Sequence, residues 1–211
     1  MKEEILKALQ EIRKSSEEKK RNFDQSVDLI VNLKEFDARK QSLSVFVPLP
    51  YKIKDVKICA FLEKQSENFD FCITKADIDA WQDKKTIKNL VKKYDYFVAL
   101  ASIMPKIATQ FGRVLGPAGK MPSPQLGVLP AQDDTKEKEI VRKMRGIMRI
   151  KAKEPSIKIA IGKQSMNDEE ISENISAVYN AIANALQKGK ENIKSVMVKF
   201  TMGKPVKVKI A

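Results

Sequence analysis

The hydrophobic period changes twice along this chain, and that change constrains the fold more than any single motif. Residues 1–20 read as a helix, with Ile5, Leu6, Leu9 and Ile12 at helical spacing. From Phe23 the period becomes two. Phe23, Val27, Leu29, Val31 and Leu33 point one way, and Asp24, Ser26, Asp28 and Asn32 the other. Leu43, Val45, Val47 and Leu49 alternate again, with Pro48 marking an edge or a strand end. The last third returns to this texture. Ile157, Ile159 and Ile161 alternate, and Asn167 and Glu170 have the spacing of a capping box. Ile171, Ile175, Val178, Ile182 and Leu186 then form the apolar stripe of a long helix that stops near Gly189. Val196-Val198-Phe200 and Val206-Val208-Ile210 alternate on either side of the segment TMGKP. Both ends read as helix plus antiparallel strands.

The middle third is different. VKICAFL (56–62), FDFCI (69–73) and YFVALA (96–101) are short apolar runs with the character of buried strands. Residues 76–93 and 104–111 read as helices, 112–130 as a loop rich in Gly and Pro, 134–145 as a charged helix, and 147–150 as a further short run. Strand and helix in alternation predict a parallel α/β sheet with helices on its faces. The expected architecture is therefore mixed α/β and α+β, in two domains. A discontinuous α+β domain comes from residues 1–55 and 155–211, and an α/β domain at 56–154 is inserted into it.

Charge narrows the partners. The 211 residues hold 40 Lys and Arg against 27 Asp and Glu, a net charge of +13. Segments 1–55, 56–154 and 155–211 carry +2, +7 and +4. Such a surface favours an anionic partner, nucleic acid first. No run approaches the ~18 apolar residues of a membrane span. The start, MKEEILKALQEIRK, has acids among its first four residues and no apolar stretch, so no signal peptide and no membrane are expected. Histidine is absent, which removes Ser-His-Asp and Cys-His catalysis and His-ligated zinc. Cys59 and Cys72, with no CxxC, suggest reduced thiols in a cytosolic protein.

The sites that invite chemistry are thin. GRVLGPAGK (112–120) resembles a phosphate loop but fails it: the residue five before Gly119 is Val114, and Lys120 is followed by Met121. No GxGxxG follows VKICAFL, so no dinucleotide, and no cofactor at all, is expected. Asp133-Asp134 and Glu169-Glu170 stand where helices start and are explained by that. Trp81, Tyr94 and Tyr96 suit a core. A rival reading, an α/β enzyme acting on an anionic substrate through loop 112–124, has only Arg113 and Lys120 as ionisable groups there.

Two segments suit RNA better. In Thr201-Met202-Gly203-Lys204-Pro205 the Gly lets backbone come close to a polynucleotide, the Thr hydroxyl can meet a 2′-OH or phosphate, and the Met offers an apolar contact. In Arg21-Asn22-Phe23-Asp24-Gln25-Ser26, Arg21 suits phosphate and Phe23 is either a core anchor or a packing surface for a site. Contacts to folded RNA mix polar, apolar and charged groups in this way.

LGPAGKMPSP (115–124), taken with TMGKP, resembles the signature of the ribosomal protein L-one family of the large subunit, in its archaeal form. Met104, Ile107, Phe111, Gly112, Leu115, Gly116, Pro117, Gly119, Met121 and Pro122 fit it. RNFDQSVDLIVNLKEFDAR (21–39) and IGKQSM (161–166) agree as well, so the likeness spans nearly the whole chain in order. One departure is Lys204, where the family commonly has Pro directly after TMG.

The resemblance implies an RNA-binding domain built from both termini, a Rossmann-like insertion, and a hinge pair near 56 and 154. It also implies a cytoplasmic, non-enzymatic protein, monomeric when free, in the large ribosomal subunit. Its partners would be the stalk region of the ribosomal RNA, deacylated tRNA near the exit site and, as in many members, its own messenger RNA. Carried over by motif, the RNA-contacting residues are Asn22, Phe23, Ser26, Asp28, Lys163, Ser165, Thr201, Met202 and Gly203. Arg21 is added on charge grounds.

Overall fold

A computed structural model of the chain describes residues 2–17, 21–37, 43–81, 83–152 and 154–209. Met1, residues 18–20, Ala38, Arg39, Gln82 and Ile210, which figure in the expectations above, lie outside the described residues. In chain order the elements begin with α1 (Lys2–Glu17), β1 (Ser26–Leu33), β2 (Leu43–Pro48), β3 (Ile58–Leu62) and β4 (Phe71–Thr74). Next come α2 (Lys84–Lys93), β5 (Tyr96–Leu100), α3 (Met104–Gln110), α4 (Gly112–Ala118), β6 (Val128–Leu129) and α5 (Asp134–Arg145). The chain ends with β7 (Ile147–Ala152), β8 (Ser156–Lys163), α6 (Asp168–Ala185), β9 (Ile193–Phe200) and β10 (Val206–Val208).

The chain divides into two compact units, one of residues 1–53 and 146–211, the other of 54–145. The second junction thus falls at Arg145/Gly146, whereas the sequence predicts 154/155. The cause is β7, which pairs antiparallel with β2 from Leu43↔Ala152 to Pro48↔Ile147 and so belongs to the terminal unit. Ile150 and Ala152 are buried with that unit's core.

In the terminal unit β1 lies between β8 and β9 in an antiparallel sheet of order β10-β9-β1-β8. Strict alternation along β1 buries Val27, Leu29, Val31 and Leu33 on one face. Ile5, Leu9 and Ile12 of α1 and Ile171, Ile175, Val178 and Ile182 of α6 join the same core. Asn167 caps α6, and its own amide donates to Glu170 (3.3 Å), the reciprocal pair the sequence predicts. At Gly162 an added Cβ would stand 2.9 Å from Ile171 Cγ1, so the IGKQSM glycine lets α6 close on β8.

In the inserted unit the sheet is wholly parallel, of order β4-β3-β5-β6, with β3 buried along its whole length. Phe61 packs edge-on to Phe111, with ring centroids 5.0 Å apart, at the centre of the core. Two expectations fail here. Residues 76–93 are not one helix: a 3-10 turn (Asp77–Ala80) ends at Trp81, and α2 starts afresh after Asp83. The Asp83 carboxylate accepts from the Lys85 and Thr86 amides (both 3.1 Å), an N-cap that breaks the apolar period. The stretch 112–130 is not all loop, since α4 occupies 112–118 despite Gly116 and Pro117. Leu115 is fully buried and holds it to the core, and Gly119, at φ 69°, closes it in the left-handed conformation.

The same stretch disposes of the phosphate-loop idea. Lys120 Nζ donates to the carbonyls of Val91 and Tyr94 (both 2.7 Å), satisfying the C-terminal end of α2. Burial pulls its pKa below the ordinary lysine value. That position, beside the entry to β5, is at the amino end of the parallel sheet, whereas open α/β sheets bind ligands beyond the carboxyl ends. Asp133, one of the acid pair, accepts from the Thr135 amide (3.1 Å) and hydroxyl (2.6 Å) at the start of α5.

Candidate nucleic-acid interface

Three segments far apart in sequence meet at one end of the antiparallel sheet: 21–26 before and into β1, 163–166 after β8, and 201–203 after β9. Strand pairing brings them there. Ser26 lies opposite Lys163 on one side, and Val27 opposite Phe200 on the other. Beyond the last paired residues the chain is tied by side chains. The Thr201 amide donates to Ser26 O (3.0 Å), its hydroxyl donates to the same carbonyl (3.2 Å), and the Ser26 amide lies 3.2 Å from that hydroxyl oxygen. Asp24 accepts from the Ser165 amide (3.1 Å) and hydroxyl (3.0 Å), with Lys163 Nζ 4.0 Å away.

The centre of the arrangement is Gln25, only 3% exposed. Its Oε1 accepts from the Met202 amide (3.2 Å), and its Nε2 donates to Gln164 Oε1 and Ser16 Oγ (both 3.3 Å). Its backbone carbonyl accepts from the Gln164 amide (2.8 Å). One buried amide thus joins both turns to α1. From α1, Arg13 adds a second tie: Nε to Asp168 (2.7 Å), Nη1 to Gln164 O (2.9 Å) and Nη2 to Met166 O (2.7 Å). The planar fork makes all three bonds at once.

Around this framework the candidate residues divide. Arg21, Asn22, Phe23, Lys163, Ser165, Thr201, Met202 and Gly203 are exposed, and Ser26 and Asp28 are half-buried. Phe23 stands before β1, not in it, and is 53% exposed, so it is not the core anchor that its place in the alternation allowed. Met202 is 59% exposed. Two large apolar side chains left in water beside fixed hydroxyls and amides form a surface with the composition of a contact site. Gly203 has no positive φ, and an added Cβ would meet only Phe200 atoms at 3.5 Å, ordinary contact. The fold does not demand glycine there; a glycine simply leaves the backbone bare.

Asp28 lies on the sheet face turned away from α1 and α6, with Lys199 its cross-strand neighbour. Burial pushes its carboxyl above the ordinary value, and Lys199 offsets this only in part. A carboxyl whose folded pKa exceeds its unfolded one destabilises the fold when ionised, and that penalty disappears as pH falls through the folded value. Asp28→Asn is therefore expected to raise Tm at pH 7, and the gap to the unsubstituted protein should shrink as pH is lowered toward 4. A gap that widens on acidification would contradict the assignment.

Gln25 and Arg13 went unrecognised in the sequence. The signal for Gln25 was present: it occupies the inward parity of Val27, Leu29 and Val31, where a polar side chain must find partners. Arg13, on the polar side of α1, carried no such mark. Neither thiol adds to the site. Cys59 and Cys72 are free, and burial pushes both thiols above their ordinary value, which suppresses the reactive thiolate.

A family profile described as the Ribosomal protein L1p/L10e family matches residues 12–204. The chain belongs to this family. It is 39% identical to the Large ribosomal subunit protein uL1 of Pyrococcus abyssi, over 98% of this chain and 96% of that protein. The protein of the same name from Nanoarchaeum equitans is 37% identical, over 95% and 99%, and that from Methanocaldococcus jannaschii 36%, over 98% and 95%. Membership accounts for the order of the four motif blocks, and the mixed two-unit fold agrees with it. All three convergent segments, and Arg13, fall inside the matched span.

Proposed function

We propose that the chain is a non-catalytic constituent of the large ribosomal subunit, in the cytoplasm, whose terminal unit binds the stalk region of the ribosomal RNA through 21–26, 163–165 and 201–203. The observation that carries this reading is the buried Gln25 amide, which fixes two turns from distant parts of the chain while leaving Phe23, Met202 and the bare Gly203 backbone uncovered. A buried polar hub that organises exposed apolar groups stabilises a recognition surface more directly than it stabilises a core. The half-buried Asp28 carboxylate and the Thr201 oxygen supply acceptors for ribose 2′-hydroxyls, which is how protein distinguishes RNA from DNA. On the ribosome the protein stands beside the exit site, contacts deacylated tRNA and assists its release. Free, as a monomer, it represses its own message through the same surface.

The test is binding to a folded stalk fragment of large-subunit rRNA with excess tRNA as competitor. Thr201→Ala and Met202→Ala should each cost on the order of 1–3 kcal/mol, about 5- to 150-fold in Kd. Lys120→Ala should leave Kd unchanged. With about 3–5 phosphates neutralised, the log–log salt slope should be roughly −2 to −4. A slope beyond about −8, or indifference to residues 201 and 202, would mean diffuse charge binding and overturn the reading.

Gly203→Ala separates site from scaffold. Because the added methyl fits, Tm should stay level or rise slightly, by the equivalent of about 0.4–1 kcal/mol at most. Affinity for the same fragment should nonetheless fall about tenfold or more, ~1.4 kcal/mol, as the methyl blocks close approach. Retained affinity would remove Gly203 from the contact.

A further inference from the structure

Between Lys84 and Gln132 the chain carries eight basic side chains and one acid, Asp95, which accounts for the whole +7 of residues 56–154. Five of the eight, Lys84, Lys85, Lys88, Lys92 and Lys93, are exposed on α2. Lys84, Lys88 and Lys92 follow one another at i,i+4, about 6 Å apart along the axis, with Lys85 beside them. They flank the side opposite Ile87, Leu90 and Val91, which enter the core. Among the described residues the side chains of Lys84, Lys85, Lys88 and Lys92 have no hydrogen-bond or ion-pair partner.

Like charges at this spacing weaken a helix, and α1 and α5 offset theirs with acids of their own. In α1, Lys7 pairs with Glu4; in α5, Lys143 pairs with Glu139. Among described helices of eight or more residues, only α2 carries lysines without an acid of its own. The acids at its two ends are already engaged, Asp83 as its N-cap and Asp95 by Lys54 Nζ (2.5 Å) and the Lys57 amide (3.2 Å). On the same side of the sheet, α4 packs against α2 and adds the exposed Arg113. At the margin lies Phe71, 37% exposed, stacked on Tyr94 (5.6 Å) and edge-on to Trp81 (6.3 Å), with Lys93 Nζ 5.6 Å over the Tyr94 ring.

We propose that the α2 face of the inserted unit is a second RNA-binding surface, which takes the phosphate backbone of a double-helical RNA segment without reading its sequence. A row of unpaired lysines at regular spacing neutralises phosphates by counterion release and needs no pocket. A protein partner is less suited, because protein–protein contact surfaces are depleted in Lys, and Lys dominates this face. The surface is separate from the 21–26, 163–165 and 201–203 cluster, and the inference does not depend on that cluster binding RNA.

The test uses the full chain and a labelled 20-base-pair RNA duplex of arbitrary sequence, titrated at several salt concentrations. The Lys84→Gln/Lys88→Gln/Lys92→Gln variant keeps helix propensity, since Gln and Lys are nearly equal in it. It should bind the duplex about tenfold or more weakly, with a salt slope shallower by roughly 2–3. The corresponding Arg triple should bind like the unsubstituted protein. Trp81, the chain's one tryptophan, reports locally: its fluorescence should change on duplex addition, and the Gln triple should lose that response. Unchanged affinity and slope in the Gln triple would overturn the proposal. So would poly-glutamate competing as well as the duplex, charge for charge, which would indicate an acidic protein as partner. The two readings separate cleanly. The Gln triple should bind the stalk fragment normally, and Thr201→Ala should bind the duplex normally.

Discussion

Gln25→Leu is expected to lower stability by about 2–3 kcal/mol and to weaken stalk-RNA binding by about tenfold or more, although its side chain is 97% withdrawn from solvent. Leucine is apolar, one bond shorter, and carries no amide. The Met202 N–H, Gln164 Oε1 and Ser16 Oγ would each lose the Gln25 partner of a part-buried hydrogen bond. Each stranded group costs about 1–3 kcal/mol, partly offset by the added apolar burial. Affinity falls for a different reason. Without the Gln25 bridge the 163–166 and 201–203 turns no longer hold one arrangement, and ordering them on contact draws on binding energy. Urea midpoints report the first effect and Kd for the stalk fragment the second. Lost stability with full affinity would show that the two turns do not form the contact surface together.

The second large effect comes from a matched pair. Phe200→Ala and Phe111→Ala each remove a phenylalanine that is at most 1% exposed, and each should cost about 3–5 kcal/mol. Their consequences for binding should differ. Phe200 ends β9, its carbonyl accepts from the Gly203 amide (2.9 Å), and Thr201 follows it directly. Its loss loosens the TMG turn, so stalk-fragment affinity should fall together with stability. Phe111 belongs to the separate core of the inserted unit, packed on Phe61. Its loss should lower the unfolding midpoint of that unit and leave stalk binding within about threefold, ~0.7 kcal/mol. Equal losses of affinity in both variants would show that the stalk-RNA contact is not confined to the terminal unit.

The physical chemistry of particular elements explains what could be read in advance. β1 and α6 were legible because one face of each is buried along its length, which writes a period of 2 or 3.6 directly into the sequence. α4 was not. Gly116 and Pro117 argue against helix locally, and only the burial of Leu115 outweighs them. β7 was legible as a strand but not as to its sheet, since its partner β2 lies about a hundred residues earlier. That single pairing moves the domain boundary. The break before α2 was written in Asp83 and Thr86, but the apolar residues on both sides obscured it. Within the site, motif resemblance pointed to the exposed residues. Of the residues that hold them, Gln25 is marked by its inward parity in β1's alternation, whereas the roles of Asp24 and Arg13 are evident only when three distant segments are seen together.

The most direct measurement of the central claim is amide hydrogen exchange on the full chain, with and without the stalk rRNA fragment. Slowed exchange should concentrate in peptides covering 21–26, 163–166 and 200–204, with Gly203→Ala losing protection in the last of these. Protection confined to 112–124, with the three terminal-unit segments unchanged, would contradict the account and return attention to the Gly/Pro-rich loop.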